Sequence, residues 1–190
     1  NPGTSEMHFV AALDDVTDMR GVLALFEGAV TGAADGYARM SGRPAATLLH
    51  LGPGLGNGLA NLHNARRAHT PMVNIVGDHA TYHKQYDAPL ESDIDAIASA
   101  VSGWYRRSTS PADVAADTAD AVAAALAPPG QVATLVLPAD VCWLPAPGGP
   151  ATPRAVASTD PVDNDTVAPV AALLRSGDPV TQLVGGRTLT

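Results

Sequence analysis

The 190-residue sequence has one cysteine, Cys142, and few aromatic side chains, only 4% of the total. A single thiol excludes an internal disulfide and a cysteine-based zinc site. A reducing cytoplasm is the simplest compartment for such a chain. Positive charge is also sparse: 11 Lys and Arg stand against 19 Asp and Glu, a net charge of −8, and no basic cluster exceeds Arg66-Arg67 or Arg106-Arg107. This composition argues against a nucleic-acid or anionic-membrane partner. No apolar run approaches the roughly 18–20 residues that a membrane span needs. No charged-then-apolar leader opens the sequence, which starts at Asn1 inside what reads as a loop, so a piece of a longer chain is expected.

What is present is small and apolar. Hydrophobic residues make up 46% of a chain rich in Gly, Ala and Val, as suits helices packed closely on a sheet. Thr4 or Ser5 can cap a helix carrying Met7, Phe9, Val10 and Leu13. Residues 22–25 have strand length and apolarity, and 27–40 read as a helix with Gly28, Gly32 and Gly36 on one face. Apolar runs at 45–51, 71–77 and 132–137 read as buried strands. Helices are expected at 57–67, 94–101 and 112–126, and a loop at 81–92. This alternation predicts an α/β fold: a doubly wound, mostly parallel sheet with helices on both faces.

Five prolines between residues 145 and 163 mark a linker. The expected organisation is therefore a first domain at 1–144, a linker at 145–163, and the start of a second α/β domain at 164–190. That start holds a helix at 167–174 and a strand at 180–184.

Two places invite chemistry. The run Gly52-Pro53-Gly54-Leu55-Gly56-Asn57-Gly58 follows a strand, as phosphate-binding loops do. It lacks the Lys-Ser/Thr of a P-loop, and Pro53 removes an amide donor, so a plain tight turn is the simpler reading. Glu27 lies between an apolar run and a glycine-spaced helix. By position alone, an exposed first-turn glutamate favoured by the helix dipole and a buried carboxylate both remain open. Asp78, His79 and His83 sit close in sequence, but two histidines and a carboxylate on a loop usually face solvent, and no metal site is expected.

The stretch Phe26-Glu27-Gly28-Ala29-Val30-Thr31-Gly32-Ala33-Ala34-Asp35-Gly36-Tyr37-Ala38-Arg39 resembles the motif of thiamine diphosphate enzymes related to acetolactate synthase. Asn1-Pro2-Gly3 is similar to the loop that touches the cofactor's pyrimidine in that family. Gly52-Pro53-Gly54 with Asn57 resembles the segment beneath the same ring, and Leu137-Pro138-Ala139-Asp140-Val141 resembles the domain's exit. The resemblance covers residues 1–141 and implies a pyrimidine-binding domain.

It assigns cofactor contact to Pro2, Gly3, Glu27, His50, Pro53 and Asn57, and catalytic roles to Glu27 and His50. Glu27 would share a proton with N1′ of the pyrimidine, with a pKa raised by its apolar surroundings. The family's Mg²⁺ and diphosphate site would lie outside this stretch, as would FAD where relatives use it. Homodimers or homotetramers acting on 2-oxo acids are implied, and this stretch alone is expected to be inactive.

Departures from the pattern keep two reactions open. Where synthases carry Thr-Ser before Gly-Pro-Gly, this chain has His50-Leu51, which looks more like benzoylformate decarboxylase. Of the synthases' Phe-Gln-Glu-like stretch, only the acidic character survives at 87–93. The expected function is acetolactate synthase-like carboligation, with 2-oxo acid decarboxylation as the alternative. His50 would bind a substrate carboxylate or move a proton, or else be a core histidine bonded to backbone. A non-catalytic scaffold on the same fold is a third reading, and Glu27 with Pro2, Gly3 and Asn57 speaks against it.

Overall fold

A computed structural model describes residues 1–156 and 158–185. The chain divides into two compact units, with the break after Ala157. The first contains α1 (Met7–Leu13), α2 (Glu27–Ser41), β1 (Ala45–Leu49), α3 (Leu51–Arg67), β2 (Met72–Asp78), α4 (Ile94–Val101), β3 (Trp104–Arg107), α5 (Val114–Leu126), β4 (Val132–Pro138) and α6 (Ala139–Trp143). The second contains α7 (Asn164–Leu174), whose cap Asp163 accepts from the Thr166 amide at 2.7 Å.

All strand pairs are parallel, in the order β1-β2-β4-β3. β2 and β4 lie in the centre and are buried along their whole length, which explains their nearly unbroken apolar sequence. Alternate side chains feed two cores. Met72, Val76, Val132 and Val136 meet Leu49, Leu55, Leu62 and Ile94 on one face. Val73, Ile75, Leu135 and Leu137 meet Ala121 and Ala125 of α5 on the other. A polar thread crosses the apolar sheet: Thr47 Oγ1 donates to Asn74 Oδ1 at 2.8 Å, and Asn74 Nδ2 donates to Thr134 Oγ1 at 3.3 Å. Because these residues are register partners on adjacent strands, their polar groups satisfy one another away from water.

The doubly wound sheet expected from sequence is the one observed. Four details differ. Residues 22–25 form no strand, and Val22, Leu23 and Leu25 stand exposed, because no strand among the described residues pairs with them. Residues 180–184 likewise form no strand. Trp104–Arg107 does form one, although its sequence is half charged; it is an edge strand with half-buried side chains. Finally, α3 begins at Leu51, six residues earlier than expected. Pro53 falls in its first turn, where a missing amide hydrogen costs the helix nothing.

Helices α2 and α3 pack against each other through small residues. A Cβ on Gly58 would lie 2.8 Å from Thr31 Cγ2, so that crossing accepts only glycine without a shift. Thr31 Oγ1 also donates across it to the Gly58 carbonyl at 3.2 Å. The crossing fixes the start of α2 beside the first turns of α3. No helix of the described residues is long and apolar enough to cross a membrane.

Candidate active site

Glu27 opens α2 directly after Phe26, whose extended backbone forms the N-cap. Its side chain turns inward: the residue is 7% exposed. Asn57 Nδ2, from the second turn of α3, donates to one carboxylate oxygen at 3.1 Å. Asn1 Nδ2 donates to the other at 2.8 Å. A Cβ on Gly54 would lie 3.4 Å from both Glu27 Oε1 and His50 Cβ, so the first turn of α3 lies between those residues without filling the space.

Burial pushes the Glu27 carboxyl upward, but the donors Asn57, its own helix-start backbone and Asn1 outweigh it. The net direction is below the usual glutamate range. A raised value was expected from the apolar flanks in sequence; two asparagine amides overturn it. Pro2, Gly3 and Asn57 are legible in the sequence motifs, whereas the Asn1 side chain's bond to Glu27, 26 positions on, is not.

His50 ends β1 and caps α3. Its Nδ1 lies 2.7 Å from Glu6 Oε2, which also accepts from the Gly3 amide at 2.6 Å. The His50 ring rests on Gly3, where a Cβ would meet it at 2.3 Å. Glu6 is 2% exposed, and its other oxygen, Oε1, is buried with no hydrogen-bond partner. That oxygen sits over Gly77 of β2, where a Cβ would fall 1.6 Å away. Glu6 was not singled out in sequence. Its signal was faint: a carboxylate three residues after Gly3, in a segment that reads as an ordinary helix start.

The structure thus brings together Gly3, Glu27, His50 and Asn57 and adds Asn1 and Glu6. Pro2 lies within the same loop at intermediate exposure, and Pro53 stays exposed on α3. Asp35 and Arg39 form a bidentate ion pair, with Thr70 Oγ1 also donating to Asp35, which ties α2 to the turn before β2. His79 and His83 face each other with ring centroids 5.5 Å apart. No group of three or more potential metal ligands occurs among the described residues.

A second charged cluster occupies the carboxyl ends of β2 and β3. Asp78, fully buried, is paired with Arg107 and with Lys84, the latter at 3.2 Å. Arg107 also reaches Asp95 at 2.5 Å, and Lys84 reaches Glu91. A cavity of about 460 Å³ opens beside them, lined by Lys84, Glu91, Ser92, Asp93 and Arg107 among others. Ser92 touches the α3 start, where a Cβ on Gly52 would lie 2.2 Å from its side chain. The cavity therefore adjoins the turn that carries His50.

A buried carboxylate, held by two amides, thus lies near the carboxyl edge of a parallel sheet, where open α/β sheets bind their ligands. Residues 1–99 match the family model of the thiamine pyrophosphate enzyme N-terminal TPP binding domain, and the chain belongs to that family. IlvX of Mycobacterium tuberculosis, an acetolactate synthase large subunit-like protein, is 68% identical over 186 residues, which cover 98% of this chain and 35% of IlvX. Benzoylformate decarboxylase of Pseudomonas aeruginosa is 36% identical over 150 residues, 78% of this chain and 28% of that protein. Among solved structures, the 4-hydroxybenzoylformate decarboxylase of Rhodococcus jostii RHA1 superposes with a TM-score of 0.82 at 28% identity, covering 93% of this chain and 34% of that one. The chain spans about a third of the length of the curated relatives it matches.

Proposed function

We propose that the chain forms the pyrimidine-facing wall of a thiamine diphosphate enzyme that decarboxylates pyruvate and joins the product to a second 2-oxo acid, as an acetolactate synthase does. The observation that carries this reading is Glu27, buried, with one amide hydrogen bond at each oxygen and its carboxyl held below the usual glutamate range by those amides. A carboxylate oxygen accepts about two hydrogen bonds, so each keeps capacity for a further donor. Gly54 leaves the space in front open. These residues fit an aminopyrimidine ring whose ring nitrogen carries or shares a proton. Bound thiamine diphosphate supplies a nucleophilic carbon and an electron sink for the carbanion left by CO₂.

The chain's own part is to orient and to hold protons. Glu27 accepts a hydrogen bond from a protonated ring nitrogen, and Asn1 and Asn57 keep its carboxylate in one orientation. The Glu6 carboxylate accepts from His50 Nδ1, which leaves Nε2 as the ring nitrogen available to a substrate. Pro2, Gly3 and Pro53 complete the cofactor-facing surface. Mg²⁺ and the diphosphate are held by residues outside this stretch, and the working unit is a cytoplasmic homodimer or homotetramer serving branched-chain amino acid synthesis. FAD, if used, binds outside this stretch too.

The His50–Glu6 pair favours a second reading, non-ligating decarboxylation of an aryl or alkyl 2-oxo acid. The likeness to benzoylformate decarboxylases supports it as well. Product analysis separates the two. The full-length enzyme given pyruvate yields acetolactate under the first reading. Acetaldehyde as sole product, or turnover of benzoylformate but not pyruvate, establishes the second.

A further inference from the structure

The edge of the sheet opposite Glu27 has a cleft with a different character. It measures about 440 Å³ and is lined by Arg66, Arg67 and His69 on one side and by Pro128, Pro129 and Gln131 on the other. It lies where β2, β3 and β4 begin, whereas Glu27, His50 and Asp78 lie at the strands' carboxyl ends. No carboxylate lines it, in a chain whose net charge is −8. Arg39, Lys84, Arg106, Arg107 and Arg154 each have a carboxylate partner. Arg20, Arg43, Arg66, Arg67 and Arg175 have no side-chain partner among the described residues, and of these Arg66 and Arg67 are the pair that is adjacent, exposed and lining this cleft.

Placement at a helix end does not account for this. Cations are favoured at the carboxyl end of α3, but that end carries only about half a negative charge, against two guanidinium groups. The surplus is positive and unmatched.

The walls are fixed in place. His69 is held in a left-handed conformation (φ +55°) between the end of α3 and Thr70, which is itself buried and bonded to the Ala65 carbonyl at 2.9 Å. Gly130 presses against it so closely that a Cβ there would lie 2.3 Å from the His69 carbonyl oxygen. Gln131 Nε2 is anchored to the Ala124 carbonyl at 2.7 Å. Planar guanidinium forks match phosphate oxygens in pairs, and two adjacent ones suit a diphosphate better than a single carboxylate. The volume exceeds what a phosphate needs and falls within the range of small-molecule sites. Pro128 and Pro129 supply an apolar side to the cleft, which suits a ring.

We propose that this cleft is a second ligand site, which binds a phosphate-bearing small molecule of nucleotide size through Arg66 and Arg67. The site is remote from the cofactor wall. Glu27 and His50 flank the first turn of α3, and the two arginines end the same 17-residue helix, about 25 Å away at 1.5 Å per residue. Its occupant is therefore a regulator, not a substrate.

Calorimetric titration of the 190-residue chain with ADP, pyrophosphate and adenosine at low salt tests this. The expected result is saturable binding of ADP with a Kd of roughly 1 mM or tighter and none of adenosine. Pyrophosphate binding as tightly as ADP assigns the site to phosphate alone; weaker binding shows that the proline wall holds the ring. In Arg66→Gln/Arg67→Gln, affinity falls roughly tenfold or more with the thermal midpoint unchanged. Arg66→Lys, which keeps charge but loses the fork, falls in between. Glu27→Gln binds ADP as the wild type does, which separates this site from the cofactor wall. No saturable binding of ADP or pyrophosphate up to about 5 mM, or wild-type affinity in the double variant, overturns the proposal.

Discussion

His50 and Glu6, 44 residues apart, meet at 2.7 Å and join the amino-terminal loop to the end of β1. The contact is built from both sides. Gly3 gives its amide to the same Glu6 oxygen and, having no side chain, lets the ring lie against it. Glu6 Oε1 is left buried and unpartnered, which costs stability unless the arrangement serves another end. Holding an imidazole in one orientation and one tautomer is such an end.

If Glu6 orients His50, Glu6→Gln in the full-length enzyme lowers kcat/KM for the 2-oxo acid by roughly tenfold or more. It also alters the shape of the pH–rate profile while leaving cofactor affinity close to wild type. Steady-state kinetics across the pH range, with cofactor titration alongside, provide the check. An unchanged profile would show that Glu6 only fills space.

Gly77→Ala attacks the same pair from below. The new methyl group would overlap Glu6 Oε1, Cδ and Cγ, and Gly77 is paired with Leu137 of β4, so the strand cannot retreat. Glu6 must then leave His50 and the Gly3 amide. The expected cost is about 1–3 kcal/mol in urea unfolding, together with a changed His50 imidazole signal in NMR. Wild-type stability with an unmoved His50 resonance would mean that Glu6 already rests elsewhere.

The fold was legible because the buried strands of this sheet are nearly continuous apolar runs and the helices between them carry small residues. Glu27 was legible as a residue, but its ionisation was not. Sequence shows the apolar flanks that push the carboxyl up, while the amides that pull it down come from Asn1 and Asn57, 26 and 30 positions away. Residues 22–25 misled for a related reason: a short apolar run reads the same whether a sheet covers it or it stands exposed. The Asp78 cluster was hidden because its partners Lys84 and Arg107 come from a polar loop and a half-charged edge strand, where periodicity carries no signal.

That cluster makes a prediction of its own. Asp78 is fully buried, and removing one of its two cationic partners leaves it less compensated where water cannot reach. Arg107→Gln should cost about 3 kcal/mol, the lower end of the range for breaking a buried pair, because Lys84 remains at 3.2 Å. Adding Asp78→Asn should restore part of that loss, since two neutral groups can still share a hydrogen bond. Chemical denaturation of both variants tests the order. A double variant less stable than Arg107→Gln would place the energy in packing, not in charge.

The state of Glu27 can be read from the pH dependence of stability. In the fold its pKa lies below the ordinary value, so the ionised form contributes stability. That contribution is complete above the unfolded value of about 4.3 and is lost as pH falls through the lower folded value. Glu27→Gln removes it at every pH, and it also sets an amide donor against the amides of Asn1 and Asn57. At about pH 7 the variant should be less stable by about 1–3 kcal/mol. The gap should stay constant down to about pH 5 and narrow only below about 4.3. A carboxyl with a raised pKa behaves in the opposite way: its protonated form is the stable one, so wild type would gain on the variant as acid is added, beginning well above pH 4.3. Urea unfolding of both proteins from about pH 7 to about pH 3 distinguishes the two. A wild-type advantage that grows on acidification would refute the ionised Glu27 on which the proposed cofactor contact rests.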